Sequence, residues 1–388
     1  MLDEEKAEKV ESVKERIREL VKDFSDSYWR EKDRKHEFPE EFWSKLAAGR
    51  WFGIAIPQSY GGLGMGILEL AMAVEEMSKC GAGMGSYTLL TNALGSVLIL
   101  RNGTEKMKND LLPDLVTGKL KLALAHTEPQ SGSDALSLIT TATKIDNFYV
   151  INGRKIFVNN SRIADLLILV TRTCPLGAAP RRSYGLTIFL VDAKDATIRH
   201  KPLDKMGMNY FETNELTIEG LKVDETRILG EVNKGWQSLV DTYNMDRILV
   251  AAMAVGTGTL ALNKAVGYAK KRIVFGRAIG MNQGIQFQLA EAYTQLEVAR
   301  LMVHKAALLC DQSKPYWKEA TIAKYRSVEA ALLAADIAIQ VHGGYGYLRD
   351  YDVERYWRDL RQLKIGPISQ ELALALIGEH VLGLPPSY

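Results

Sequence analysis

The stretch Ala125-His126-Thr127-Glu128-Pro129-Gln130-Ser131-Gly132-Ser133-Asp134 leaves a short β-rich run and packs hydroxyls, a glycine and a proline turn into a few residues. Its backbone N–H groups and Thr127 suit the heteroatoms of a flat, polar ring, and the Gly132-Ser133 turn lets backbone approach a phosphate. Taken alone, it is equally an Asx-type turn ending a strand. What lies on either side decides the fold class. Before it the apolar period is helical. Val13, Ile17, Leu20, Val21 and Phe24 share a helix face, Pro39 opens a second helix through Phe42 and Leu46, and the segments Ile67 to Met77 and Tyr87 to Leu100 continue the pattern.

From Leu120 the period changes. Leu122 to Ala125, Phe148 to Ile151, Leu166 to Thr171, Leu186 to Val191 and Glu215 to Ile218 are short β-rich runs between turn residues. Asn152-Gly153 reads as a hairpin turn, and the stretch from Cys174 to Arg182 as an exposed loop. From Gly235 the helical period returns in Asp246 to Arg272, Gln286 to Leu309, Thr321 to Gln340 and Gln370 to Val381. Small residues at Ala251-Ala252 and Gly256-Thr257-Gly258 permit close helix packing. The class is α+β: helices over residues 1–119, a β domain over 120–232, and helices over 233–388.

A chain of 388 residues exceeds one ordinary core. A net charge of +2 gives no electrostatic reason to expect nucleic acid or an anionic membrane surface. Cys80, Cys174 and Cys310 show no paired spacing, and the histidines form no ligand cluster, so neither a disulfide framework nor a metal site is expected. No stretch approaches the ~20 apolar residues of a membrane span, and the N-terminus lacks an apolar leader. A soluble, cytoplasmic protein is the expectation.

Three further segments carry polar chemistry. In Ile151 to Asn160, Phe157 followed by Asn159 can stack on and hydrogen-bond a ring system, although the segment by itself favours a hairpin with a core Phe. Arg272-Ile273-Val274-Phe275-Gly276-Arg277, followed by Gln283 and Gln286, offers a pyrophosphate clamp or a basic helix end. Gln340-Val341-His342-Gly343-Gly344-Tyr345-Gly346-Tyr347 leaves amides free for an anion, or simply ends a helix.

In this order the four segments resemble the FAD-binding segments of the acyl-CoA dehydrogenase family, and the resemblance covers nearly the whole chain. It implies an N-terminal helical domain, a β-barrel-like middle domain and a C-terminal four-helix bundle. It places His126, Thr127, Ser133, Phe157 and Asn159 along the flavin. Arg272, Phe275, Gln283, Gln340, Gly343 and Gly344 are further cofactor contacts, with Arg272 and Gly343-Gly344 reaching the FAD of a neighbouring subunit in a homotetramer. Ser133, Tyr243, Asn244 and Arg247 fall on substrate-side positions. Phe157 and Asn159 depart from the usual Trp and Thr/Ser, and His126 stands where an apolar residue is more common.

Family chemistry pairs removal of the α-proton of a CoA thioester by a buried carboxylate with hydride transfer to the flavin. In many members the carboxylate precedes a Gly-Thr-x-Gln segment. Here that position falls on Gly366 or Pro367, neither of which takes a proton. A minority of members carry a glutamate on the long C-terminal-domain helix, and the matching stretch Asn244-Met245-Asp246-Arg247-Ile248-Leu249 places Asp246 there. Asp246 is therefore the candidate base, against the alternative of a helix-N-terminal carboxylate satisfying the dipole. Glu128 reads as structural, and Glu371 lies past the segment. The implied activity is α,β-dehydrogenation of an acyl-CoA with electrons passed to an electron-transfer flavoprotein. The rivals are an enoyl-CoA reductase, eliminase or oxygenase on the same scaffold, and a non-catalytic helical interaction protein.

Overall fold

The computed structural model describes residues 4–386. The N-terminal helices are α1 (Glu4–Val21), α2 (Asp26–Lys35), α3 (Glu40–Ala48), α4 (Ile67–Met77), α5 (Tyr87–Asn102) and α6 (Glu105–Val116). α1 buries Val10, Val13, Ile17 and Val21, the stripe that its spacing requires. α2 and α6 lie outside the helices read from periodicity. α2 buries only Trp29 and Asp33 among dense charges, and α6 carries Pro113 inside it. Their caps are conventional: Ser25 accepts from Tyr28 N and Thr104 from Met107 N.

The middle segment holds β1 (Leu122–Ala125), β2 (Thr141–Ile145), β3 (Phe148–Asn159), β4 (Leu166–Arg172), β5 (Leu186–Asp192), β6 (Ile198–Pro202), β7 (Thr213–Asp224) and β8 (Ile228–Leu229). They form one sheet in the order β6-β7-β3-β2-β4-β5-β8, with β1 parallel to β4. β6 and β8 stand at its edges, so the barrel-like sheet is open. β4 and β5 read as unbroken apolar runs because both faces are covered. Ile168, Val170, Ile188 and Leu190 join the helical core, while Leu167, Leu169, Phe189 and Val191 join a separate core within the sheet.

The hairpin expected at Asn152-Gly153 is not there. Both residues lie inside β3, where the pairing with β7 shifts register between Ile151 and Gly153. A Cβ on Gly153 would stand 2.7 Å from Thr140 Cα, so the glycine marks a close backbone approach at a bulge. The turn joining β2 to β3 is Asp146-Asn147, with Asp146 at φ 52.

α7 (Gly235–Lys271) is followed by a small hairpin of β9 (Ile273–Val274) and β10 (Arg277–Ala278). Then come α8 (Gln283–Asp311), α9 (Trp317–His342), α10 (Val353–Arg361) and α11 (Gln370–His380). The small residues of α7 do what their size predicts. A Cβ on Gly256 would meet Glu75 O at 2.3 Å on α4, and one on Gly258 would meet Ala331 Cα at 2.7 Å on α9. One expectation needs correction. Ile67–Asn102 and Gly235–Lys271 are each apolar enough by length and composition to cross a membrane. In each, 83% of the most apolar 18-residue window is buried inside the fold, which is why it is so apolar.

Candidate active site

Asp246 sits about three turns into α7, well beyond the first turn where a helix dipole favours a carboxylate. The dipole-capping alternative is therefore overturned. Among the described residues its carboxylate has no hydrogen bond and no ion pair. Burial pushes it up to about 7, against the pull of the Arg247 and Lys324 charges.

Two tyrosines within electrostatic reach of Asp246 link it to the sheet. Tyr87, on α5, accepts a hydrogen bond from Asn159 Nδ2 at 3.1 Å, and Asn159 Oδ1 accepts from Thr213 Oγ1 at 2.7 Å. The Asn159 amide thus ties β3 and β7 to a helix of the first domain. Tyr243 lies one helical turn before Asp246 and is hydrogen-bonded to His126 Nδ1. His126 Nε2 lies 3.3 Å from Ala135 O. A carbonyl only accepts, so this network assigns the ring proton to Nε2 and makes the Tyr243 hydroxyl the donor to Nδ1. The two rings stack with centroids 5.6 Å apart, and Trp236 stands edge-on to both at 6.4 Å. Burial, helped by the Lys155 charge, pushes His126 down to about 4, which leaves it neutral. His126 is therefore turned inward and bonded rather than facing solvent.

Below this pair lies a sealed ion pair. Lys155 Nζ donates to Glu128 Oε1 at 2.7 Å and to His126 O at 2.9 Å. Glu128 also accepts from Ile139 N at 2.7 Å and Thr140 N at 2.9 Å. The structural reading of Glu128 holds, and Thr127 O accepts from Ile156 N at 2.8 Å in the same strand contact. Ser133 is exposed on the turn that follows.

Phe157 is not a core residue. The β3–β7 pairing shifts register again between Lys155 and Val158. Phe157 there takes φ 59 and leaves its ring 64% exposed, an open apolar face next to bonded Asn159.

At the positions expected to face substrate, Arg247 Nη1 donates to Asn244 Oδ1 at 2.9 Å and Thr321 Oγ1 at 3.0 Å. No carboxylate lies within ion-pair distance of Arg247 among the described residues, and burial lowers its pKa. Gly366 offers no acid–base group, yet a Cβ there would meet only the mobile amide of Gln362, with Nε2 at 2.8 Å. Glu371 is exposed in the first turn of α11.

The other six positions lie elsewhere on this chain. Arg272 ends α7, Phe275 tips the β9–β10 hairpin at φ 50 with its whole ring exposed, and Gln283 starts α8. Gln340, Gly343 and Gly344 are exposed at the end of α9. Arg272 stacks over the Tyr345 ring at 5.9 Å, beside a cavity of about 550 Å³ lined in part by Tyr268, His342 and Tyr351. Tyr87, Lys155 and Lys324 were not singled out in the sequence. For the lysines the available signal was a charge at a buried-face position among small or apolar neighbours.

Comparisons with known proteins agree with this layout. Models of the acyl-CoA dehydrogenase N-terminal, middle and C-terminal domains match residues 7–119, 123–221 and 233–382. A 3-(aryl)acrylate reductase of Clostridium sporogenes is 38% identical over 95% of this chain and 98% of its own. The caffeyl-CoA reductase–Etf complex subunit CarC of Acetobacterium woodii is 36% identical over 90% of this chain and 93% of its own. The structure of butyryl-CoA dehydrogenase from Megasphaera elsdenii superposes with a TM-score of 0.89 at 34% identity, covering 95% of this chain and 98% of that one.

Proposed function

The chain belongs to the acyl-CoA dehydrogenase family, and on that premise we propose that it catalyses α,β-dehydrogenation of an acyl-CoA thioester with Asp246 as the base. The observation that carries the proposal is the state of Asp246: half-buried, unbonded among the described residues, raised to about 7 by desolvation, with no carboxylate at Gly366 to compete. A carboxylate in that range is a stronger base than one in water and is still about half ionised near neutral pH.

FAD, when bound, supplies the acceptor for the two electrons that leave with the substrate Cβ–H. The exposed Phe157 ring, the Asn159 amide and the Thr127 and Ser133 turn fit a flat polar cofactor, because each presents a stacking face or polar group at the site. His126 and Tyr243 form a neutral, hydrogen-bonded wall, and Asn244 holds Arg247 towards the CoA side. The exposed Arg272, Phe275, Gln283, Gln340, Gly343 and Gly344 fit contacts to the cofactor of a neighbouring subunit in a homotetramer. Electrons then pass to an electron-transfer flavoprotein, a partner type named in the Acetobacterium relative.

A second reading has its own support. Two of the relatives are named as reductases of an arylacrylate and of caffeyl-CoA. Run in that direction, protonated Asp246 returns its proton to Cα of an enoyl-CoA. A group titrating near neutrality serves either direction.

Anaerobic mixing of the purified protein with a panel of acyl-CoAs, and of its reduced form with arylacrylyl-CoAs, separates the two. Dehydrogenation bleaches the flavin, and reduction of an enoyl-CoA restores its colour. Asp246→Asn is expected to abolish both, and full activity in that variant overturns Asp246 as the base. A protein that takes up no FAD overturns the flavoenzyme reading.

A further inference from the structure

Of the two fully buried lysines, Lys155 is paired with Glu128 and Lys324 has no carboxylate partner among the described residues. Lys324 lies on α9 with no exposed surface. Its Nζ donates to Ile368 O at 2.5 Å and to Gln370 Oε1 at 3.0 Å. Gln370 Nε2 in turn donates to Tyr325 O and to Glu329 Oε1, both at 3.0 Å. Glu329 pairs with Lys364 at 2.9 Å. The span 364–370, which contains Gly366, is thus tied to α9 at both ends.

The hydrogen bonds alone do not explain the charge. Both acceptors of Lys324 are neutral, and no carboxylate lies within ion-pair distance among the described residues. A neutral donor would serve those acceptors without the cost of burying an ammonium. Geometry puts that charge on the Asp246 side: Arg247, next in sequence to Asp246, donates to Thr321 Oγ1 at 3.0 Å, one turn before Lys324 on α9, and both cations hold Asp246 down against burial. The groups around Asp246 are Tyr87 from α5, Tyr243 and Arg247 from α7 and Lys324 from α9, with exposed Glu371 of α11 also acting on Lys324. Only Arg247 and Lys324 are cations.

We propose that Lys324 is a positioning residue: it fixes the backbone beside Gly366 to α9 and keeps a positive charge within reach of Asp246, so that the carboxylate is ionised where the reaction needs a base. This rests on Asp246 as the base. Without the charge, burial acts on Asp246 with one counterweight fewer, and its ionised fraction near neutral pH falls.

The test uses the FAD-loaded protein with Lys324→Met, Lys324→Gln and Lys324→Arg. Flavin bleaching by the best acyl-CoA is followed from about pH 5 to about pH 9, where the ionised fraction of the base sets the rising limb. The Asp246 carboxyl is titrated in parallel by ¹³C NMR. Lys324→Met and Lys324→Gln are expected to move both midpoints up by about one pH unit, and Lys324→Arg to leave them near the wild-type value. Lys324→Gln keeps a neutral donor, so it reads the charge even if Lys324→Met loses FAD or fails to fold. Unmoved midpoints in a Lys324→Gln protein with normal FAD content overturn the proposal. An active Asp246→Asn control overturns the base instead, so the two failures are distinguishable.

Discussion

The Lys155 ammonium lies 2.7 Å from the Glu128 carboxylate, and neither side chain reaches solvent. Burial drags Lys155 down to about 8. Burial also works against the Glu128 carboxylate, but Lys155 and the Ile139 and Thr140 amides hold it below its ordinary value. The pair anchors the His126 carbonyl, and through it the segment carrying Thr127. Lys155→Met leaves a buried charge unpaired and is expected to cost about 3–5 kcal/mol of stability. Replacing both partners by apolar residues is expected to cost less than the single change. Chemical denaturation of the three proteins checks this, and an unchanged midpoint in Lys155→Met refutes it.

Asp246 carries a pH signature of its own. Its folded pKa, about 7, lies above the ordinary 3.8, so the native state binds the proton more tightly than the unfolded chain. Its contribution to stability is therefore intact below the unfolded value and is lost as pH rises towards the folded one. Asp246→Asn removes that penalty, so the variant is expected to melt above wild type at pH 8 and level with it at about pH 4. Equal melting temperatures at both values rule out the raised carboxyl.

The single flexible neighbour at Gly366 makes a rescue possible. A Cβ there meets only the movable end of Gln362, and no other carboxylate is offered along the Lys364–Ser369 span. Gly366→Glu in the Asp246→Asn background is expected to regain part of the flavin bleaching, roughly 10-fold or more over the single variant, because positioned bases contribute on the order of 10²–10⁴-fold. A double variant as silent as Asp246→Asn shows that the span does not face the reacting carbon.

Two glycines of α7 form a matched pair. A Cβ on Gly256 lands 2.3 Å from Glu75 O, whereas one on Gly267 meets nothing within 4 Å. Gly256→Ala must push α4 away and is expected to cost about 1–3 kcal/mol, as overpacking does. Gly267→Ala is expected to be neutral or to stabilise by about 0.5–1 kcal/mol, since alanine is the better helix former. Thermal unfolding of both reads the contrast, and a stabilised Gly256→Ala contradicts the close helix packing.

The tertiary structure decided the rest where distant segments meet. Residues 152–153 resemble a hairpin turn by type, but their neighbours across the strand place them at a bulge against Thr140. The Phe157 ring faces outward because a second bulge breaks the alternation that the strand pattern assumes. α2 was hidden because a helix covered by aromatic and ionic contacts needs no apolar stripe.

The resemblance to the acyl-CoA dehydrogenase family pointed to the missing base at Gly366 and to Asp246 as candidate; by itself, the sequence determined the order of helices, sheet and helices and the four polar segments. Those features are local: spacing of two or of about 3.6 residues and the chemistry of short motifs repeat within a few positions of each other. What only the tertiary structure decided is the state of that candidate. Asp246 is unbonded among the described residues and raised because burial outweighs the pull of Arg247, on its own helix, and Lys324, on another. A carboxyl's proton affinity is set by the charges and solvent around it in space, and chain order does not record who those neighbours are.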